Sequence, residues 1–185
     1  MSDNYGVLLH SPQSGETTCI DCGDAAATLA ALTKKGWELT EIWVTHHHAD
    51  HTAGVVELKQ ATGAKVLGPK PLSQDIAGLD ANLADGDTFK FAGIDVHIIH
   101  TPGHTKDMIN FHLPSENIVF TGDTLFTVGC GRLFECDAAT MHASLAKLTA
   151  LPAQTLVYSS HEYTIANVKF ALSVDPNNTA LISRA

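Results

Sequence analysis

The sequence predicts a mixed α/β domain. Short runs rich in β-branched and aromatic residues predict strands, and stretches with apolar residues three or four positions apart predict helices. The strands are predicted at 5–10, 17–21, 41–45, 65–68, 88–91, 94–100, 110–113, 118–121 and 156–159. The helices are predicted where apolar side chains share one face: Ala25, Leu29 and Leu32; Met141, Leu145 and Leu148; Ile165, Val168 and Leu172; and a stretch from near Thr52 to before Gly63. Periodicity alone predicts no finer architecture than this.

Length and composition favour one globular domain. The 185 residues are enough for one well-developed core, and no Pro/Gly/Ser linker or repeat divides them. The net charge of -9 argues against phosphate-backbone binding, so no nucleic-acid partner is expected. No apolar run approaches the roughly 20 residues that span a membrane, and the first four residues, Met-Ser-Asp-Asn, contain no export signal. We therefore expect a cytoplasmic protein without a membrane or protein partner.

The segment 45–51, Thr-His-His-His-Ala-Asp-His, carries the most information about function. It places imidazoles and a carboxylate directly after the apolar run 42–44, which predicts a buried strand. Crowding these groups at a strand end costs hydration unless something binds them. Neutral imidazole and carboxylate are ligands that Zn²⁺ and similar ions select. A solvated His-rich turn or an expression tag is the alternative, but a tag would be terminal.

Three further ligand-type side chains follow predicted strands. His104 comes after the run 94–99, Asp123 after 118–120 and His161 after 156–158. Ligands bind in the crevice beyond the carboxyl ends of strands in open sheets. The four loops are therefore predicted to meet at one rim.

These residues belong to motifs that resemble a known family. HHHADH, TPGHT, FTGDTLF, GCGRLFE and SSHEYT occur in this order and resemble the metallo-β-lactamase superfamily. GCGR with LFE, together with HEYT, resembles glyoxalase II, the hydroxyacylglutathione hydrolases. The resemblance runs from about residue 3 to 172, and it implies an αββα four-layer sandwich, the metallo-β-lactamase fold.

The resemblance also implies a centre of two divalent metal ions, with zinc favoured and iron or manganese as alternatives. His46, His48 and His104 would hold one ion, Asp50, His51 and His161 the other, and Asp123 would bridge them. Asp21 is expected to orient a ligand histidine from behind. His47 would point away from His46 and His48 if the segment is extended, so we expect it to support the site rather than bind metal.

The expected reaction is metal-dependent hydrolysis of S-(2-hydroxyacyl)glutathione thioesters, such as S-lactoylglutathione, to glutathione and a 2-hydroxy acid. A hydroxide held between the metals would attack the thioester carbonyl, and Asp50 could accept its proton. No covalent nucleophile is predicted, because a serine beside a ligand histidine lacks a free base. The positions that contact glutathione in the family are Arg132, Phe134 and Tyr163 here, and Phe134 lacks a hydroxyl.

The sequence departs from the family at two places. After His104 the family continues Thr-x-Gly-His, whereas this chain reads Thr-Lys-Asp-Met at 105–108. Glyoxalase II also usually continues into a C-terminal helical domain that contacts glutathione. We expect residues 1–185 to form the catalytic domain alone, with the helical domain absent or truncated after about residue 173, and glutathione thioesters to bind weakly.

Two other functions are compatible with the motifs. A persulfide dioxygenase shares the GCGR loop but needs a single iron, with two histidines and one aspartate. A metal-binding scaffold with little turnover would result if substrate capture needs the C-terminal region. The pair Cys19 and Cys22 forms a C-x-x-C motif, which is compatible with a redox site, but its strand and turn context favours reduced structural thiols.

Overall fold

Two five-stranded sheets form the centre of the protein. The computed structural model describes residues 3–185; Met1 and Ser2, which belong to the segment expected to lack an export signal, lie outside the described residues. The strands are β1 (Val7–His10), β2 (Thr17–Ile20), β3 (Glu41–Trp43), β4 (Lys65–Pro69), β5 (Ala81–Leu83), β6 (Thr88–Phe91), β7 (Ile94–His100), β8 (Ile109–Leu113), β9 (Ile118–Gly122), β10 (Leu125–Phe126), β11 (Gly129–Cys130) and β12 (Leu156–Ser159). The helices are α1 (Ala25–Lys35), α2 (Ala49–Thr52), α3 (Val55–Thr62), α4 (Ala138–Thr149), α5 (Thr164–Val174) and α6 (Thr179–Arg184).

The first sheet has the order β1-β2-β3-β4-β5, and the second has the order β12-β9-β8-β7-β6. In the first sheet β2 to β5 run parallel, while β1 is antiparallel to β2. In the second sheet only β12 and β9 are parallel. Strands β10 and β11 form a separate short hairpin. The parallel strands β2 and β3 therefore end on the same edge of their sheet, where the predicted ligand loops begin.

Trp43 shows why the two sheets pack face to face. It is fully buried, its indole is stacked on Phe111 at 5.1 Å, and its edges meet Phe89 and Phe91. Because side chains alternate along a strand, its neighbours Ile42 and Val44 point to the opposite face. There they join a second cluster with residues of α1 and α3. One face of the first sheet thus meets the other sheet and the other face meets helices.

At the second sheet, α4 packs on the loop that follows β7. Met141 packs so closely on Gly103 that an added Cβ there would lie 2.7 Å from its terminal methyl. The Ser144 hydroxyl donates to the Pro102 carbonyl at 2.6 Å. The predicted αββα four-layer sandwich is confirmed.

The helix predicted to start near Thr52 is instead two helices separated at Ala53 and Gly54. A side chain at Gly54 would lie 2.6 Å from the Ala25 nitrogen, so the chain bends where it contacts the start of α1. The helix predicted around Ile165, Val168 and Leu172 is present as α5, but Ile165 is 71% exposed. Strands β5, β10 and β11 and helix α6 were not predicted. Across residues 3–185, every helix is too short or too polar to cross a membrane.

Candidate metal centre

All seven predicted metal ligands come together at one end of the sandwich. They are supplied by the loop between β3 and α2, by α2 itself, and by the loops that follow β7, β9 and β12. Three groups of three ligand atoms lie within 4.8 Å of one another: His46, His48 and His104; His46, His51 and Asp123; Asp50, His51 and His161. The four loops therefore meet at one rim, as the strand-end pattern predicts.

The first group consists of three imidazoles. Nδ1 of His48 lies 3.0 Å from Nε2 of His46 and 2.9 Å from Nε2 of His104. Three ring nitrogens that point at one another crowd their lone pairs around a single point. This arrangement suits a cation that accepts all three lone pairs.

The second group mixes imidazole with carboxylate. Oδ2 of Asp50 lies 3.4 Å from Nε2 of both His51 and His161. Ligands about 2.0–2.1 Å from a tetrahedral ion lie roughly 3.4 Å apart, so these separations fit a divalent metal ion. Among the described residues, Nε2 of His51 is buried without a hydrogen-bond partner, as expected of a nitrogen that coordinates a cation.

Asp123 joins the two groups. Its Oδ2 lies 3.3 Å from Nε2 of His104, in the first group. Its Oδ1 lies 3.4 Å from Nε2 of His51 and 3.3 Å from Nε2 of His161, in the second. One carboxylate with its two oxygens on different groups has the placement of a ligand shared between two ions.

Asp21 lies behind the second group and fixes His51. Its Oδ2 accepts from Nδ1 of His51 at 2.8 Å, which directs Nε2 toward the centre. The same carboxylate accepts from the Thr45 amide and hydroxyl at 2.8 and 2.9 Å. Asp21 adopts a left-handed backbone conformation, with φ of 57°, at the turn after β2. The predicted orienting contact is present.

His47 points away from the centre, as expected for an extended segment. Its Nδ1 lies 3.2 Å from both carboxylate oxygens of Asp107, and its Nε2 lies 3.5 Å from Oε1 of Glu135. Glu135 also accepts from the Lys106 amide at 2.7 Å. His47 thus connects its own loop to the 101–107 loop and to the loop that follows β11.

The predicted substrate-binding residues lie beside both ligand groups. Arg132 and Phe134 lie next to the first group, and Tyr163 lies next to the second. Phe134 is 60% exposed, and its ring meets those of His48 and His104 at 5.6 and 5.2 Å. Tyr163 stacks on His161 at 5.0 Å. Arg132 is exposed, and its carbonyl accepts from Nδ1 of His104 at 2.8 Å.

Several supporting residues were not predicted from the sequence. The Asn4 amide donates to Asp50 at 3.0 Å, and the Ser160 hydroxyl donates to Asp123. Asp107 and Glu135 contact His47, as described above. Ser160 could have been found from the sequence, because it directly precedes His161. Asn4, Asp107 and Glu135 could not, because they contact residues far away in the sequence.

The two groups differ in charge. Burial, together with the nearby imidazoles, holds the pKa of His46 well below its usual range. Burial also lowers the pKa of His48 and of His104. These rings are therefore neutral at pH 7 and bind metal without losing a proton.

His51 behaves in the opposite way. Burial opposes a charged ring, but the carboxylates of Asp21, Asp50 and Asp123 outweigh it and raise the pKa of His51 to about 10. The close contact with His51 in turn lowers the pKa of Asp50. Without metal, the second group therefore holds a proton that a cation must displace.

This difference predicts how the metal-free protein responds to pH. A raised histidine pKa adds stability that is fully present below the unfolded value of 6.5 and is lost as the pH rises toward about 10. We expect the free energy of unfolding of chelator-treated protein to fall by about 2–3 kcal/mol between pH 6.5 and about pH 9. Urea unfolding at each pH measures it. His51→Gln should flatten the slope, and a stability that rises over this window would contradict the assignment.

Gly131 allows the loop after β11 to pass close to the centre. A Cβ there would lie 2.0 Å from the Asp123 carbonyl and 3.0 Å from Nδ1 of His104. Gly131→Ala should push these groups apart and weaken metal binding by about 10–100-fold. Competition with a chromophoric chelator measures the change. Gly6→Ala is the matched control, because a Cβ at Gly6 has nothing within 4 Å, and an equal effect of both variants would contradict the prediction.

Comparison with known proteins identifies the family of this chain. The model of the Metallo-beta-lactamase superfamily matches residues 7–161, and the chain belongs to that superfamily. The chain is 53% identical to the hydroxyacylglutathione hydrolase of Brucella anthropi over 184 residues, which is 100% of this chain and 71% of that protein. The predicted resemblance to the hydroxyacylglutathione hydrolases is thereby confirmed.

Solved structures share the fold. The crystal structure of ETHE1 from Myxococcus xanthus has a TM-score of 0.78 at 30% identity and covers 88% of this chain and 72% of that chain. The crystal structure of TTHA1623 in a di-iron-bound form has a TM-score of 0.73 at 27% identity and covers 86% and 87%.

Proposed function

We propose that this protein hydrolyses S-(2-hydroxyacyl)glutathione thioesters, such as S-lactoylglutathione, to glutathione and a 2-hydroxy acid. The observation that carries the proposal is the pair of ligand groups joined by Asp123. The 53% identity to a hydroxyacylglutathione hydrolase supports the substrate class.

Two divalent metal ions fit the ligand set, with His46, His48 and His104 holding one and Asp50, His51 and His161 the other. When bound, such ions polarise a carbonyl and lower the pKa of water, which is the chemistry that thioester hydrolysis requires. We favour zinc, with iron or manganese as alternatives, because all three accept mixed imidazole and carboxylate ligands. The di-iron form of TTHA1623 supports iron as a real alternative.

Asp50 is the protein group best placed to take up a proton during hydrolysis. Its side chain is 41% exposed, whereas Asp123 is buried deeper, at 10%. The Asn4 amide donates at 3.0 Å to its Oδ2, the oxygen that faces His51 and His161. A thiolate is a good leaving group, so no dedicated acid is needed on the sulfur side.

Arg132, Phe134 and Tyr163 would receive the glutathione part. Phe134 offers an apolar edge above His48 and His104, and Tyr163 covers His161 from the other side. Arg132 supplies a positive charge on the same loop as Phe134, in a chain whose net charge is -9. A carboxylate of glutathione is the complementary group.

Replacing Arg132 tests this contact. Arg132→Ala should raise KM for S-lactoylglutathione by about tenfold with little change in kcat, since a charge-assisted hydrogen bond contributes about 1.5–3 kcal/mol. Steady-state kinetics measure both constants. Arg184→Ala, which removes the other arginine at an exposed position on α6, is the control. A fall in kcat alone would contradict a role in binding.

The experiment that tests the function combines metal analysis with turnover. The purified chain is loaded with zinc, its metal content is measured, and hydrolysis of S-lactoylglutathione is followed beside a variant with His51→Ala. His142→Ala, an exposed histidine on α4, is the matched control. We expect about two metal ions per chain, turnover in wild type and control, and loss of both turnover and one ion in His51→Ala.

The alternatives give different results in the same experiment. A persulfide dioxygenase would bind one iron and consume oxygen with glutathione persulfide; the convergence of Asp50, His51 and His161 favours the two-metal hydrolase. A scaffold would bind two ions without turnover. Either result would reject the proposed function.

A further inference from the structure

The structure brings the two cysteines of the C-x-x-C motif together. Cys19 is the third residue of β2, and Cys22 follows the left-handed turn at Asp21. Both are free and only 1% and 3% exposed, and both belong to the cluster between the first sheet and α1. The two thiols lie close enough to interact with each other. The two sulfur atoms are therefore neighbours in the fold as well as in the sequence.

A cavity lies beside this pair. A cavity of about 700 Å³ is lined by both cysteines and by Trp37 and Lys35 of the α1 region. The same cavity continues to His51 in the second ligand group. The thiols therefore line a cavity that a solute as small as hydrogen peroxide can enter, and this cavity extends to the metal centre.

The backbone between the thiols carries Asp21, the residue that orients His51. The Cys19 thiol donates to the Asp21 carbonyl at 2.9 Å. The Cys22 amide donates to the His51 carbonyl at 2.7 Å. Any movement of one sulfur toward the other is thus transmitted to the turn that holds the second ligand group.

We propose that Cys19 and Cys22 are a site of reversible disulfide formation, and that the disulfide weakens metal retention by Asp50, His51 and His161. The modification site stands on the geometry of the thiols alone; its regulatory effect rests on the proposed function of the metal centre.

The oxidant is a small peroxide, and the reaction balances. The Cys22 sulfur attacks one peroxide oxygen, the O–O bond breaks, and a sulfenic acid and one water form. The Cys19 sulfur then attacks the Cys22 sulfur and displaces a second water. The two sulfurs together lose two electrons, hydrogen peroxide gains them, and both thiol protons end in water.

The effect on the centre follows from bond length. A disulfide requires sulfur atoms about 2.05 Å apart, closer than any hydrogen-bonded pair. The Cys19 sulfur loses its proton in this bond, so its hydrogen bond to the Asp21 carbonyl is lost. Asp21 then holds His51 less firmly. Loss of a hydrogen bond that orients a metal ligand typically lowers metal affinity by about 10–100-fold.

The test uses the zinc-loaded full chain carrying Cys130→Ser and Cys136→Ser, which leaves only the pair in question. It is treated with an equimolar amount of hydrogen peroxide, desalted, digested without reductant, and analysed for zinc. The first Lys or Arg is Lys34, so both cysteines fall in one tryptic peptide. We expect that peptide to be lighter by two hydrogen atoms and the protein to have lost about one zinc ion per chain. Dithiothreitol should restore the peptide mass.

The same protein with Cys22→Ala is the control and should keep its zinc after peroxide. Absence of the disulfide would overturn the modification site, and a disulfide without zinc loss would overturn its effect on the centre. Neither readout uses thioester turnover, so these failures are distinguishable from failure of the proposed function. Since the first protein retains both cysteines, its result stands even if Cys22→Ala does not fold.

Discussion

Asp123→Asn is expected to reduce thioester turnover by at least about 10³-fold, because it removes the charge shared by both ligand groups. The carboxylate reaches His104 with one oxygen and His51 and His161 with the other, all at 3.3–3.4 Å. Asparagine has the same shape but offers only one oxygen and no charge. Metal retention should fall with turnover, while the fold should persist.

Steady-state kinetics and elemental analysis of the same preparation measure this result. The matched control is Asp95→Asn, which removes an exposed carboxylate that pairs with Lys90 on the surface. Its turnover should match that of wild type. If Asp123→Asn kept two metal ions and turned over within tenfold of wild type, the bridging role would be wrong.

The convergence of these side chains was predictable because they follow strand ends. The composition of residues 42–44 predicts a buried strand. The residues that follow such a strand lie at the rim of the sheet. The same logic applies to His104 and Asp123. Strand β12 is a partial exception: its sequence predicts an apolar strand, but Leu156 is 57% exposed at the sheet edge.

The elements that were missed have weak local patterns. β10 and β11 are two residues long, and β5, with the sequence Ala-Asn-Leu, has little β-branched character. Their strand geometry comes from pairing with a partner elsewhere in the chain, which no local window contains. Helix α6 is six residues long and has no buried residue, so its sequence has no apolar face that would predict a helix.

Contacts that support the ligands are less predictable than the ligands themselves. Asn4 meets Asp50, which lies 46 positions away, and His47 meets Asp107, 60 positions away. The departure from the family at 105–108 has a physical explanation that only the fold provides. Asp107 faces His47, and the pair fills the space between their two loops.

Asp107→Ala is therefore expected to lower the free energy of unfolding by about 2–4 kcal/mol. Asp107 is 1% exposed, and its carboxylate accepts from Thr105 at 2.8 Å as well as contacting His47 at 3.2 Å. Alanine would leave the Thr105 hydroxyl and a ring nitrogen of His47 buried without this partner, and water reaches such a site poorly.

Urea unfolding of the metal-free protein measures the loss, and Asp75→Ala, at an exposed position, is the control. Asp107→Asn should cost less, because its amide oxygen still accepts one hydrogen bond. His47 lies between His46 and His48, so the alanine variant should also bind metal at the first group about tenfold more weakly. Equal stability of the Ala and Asn variants would mean that the hydrogen bonds of this carboxylate do not hold the loops together, and that packing around residue 107 does so instead.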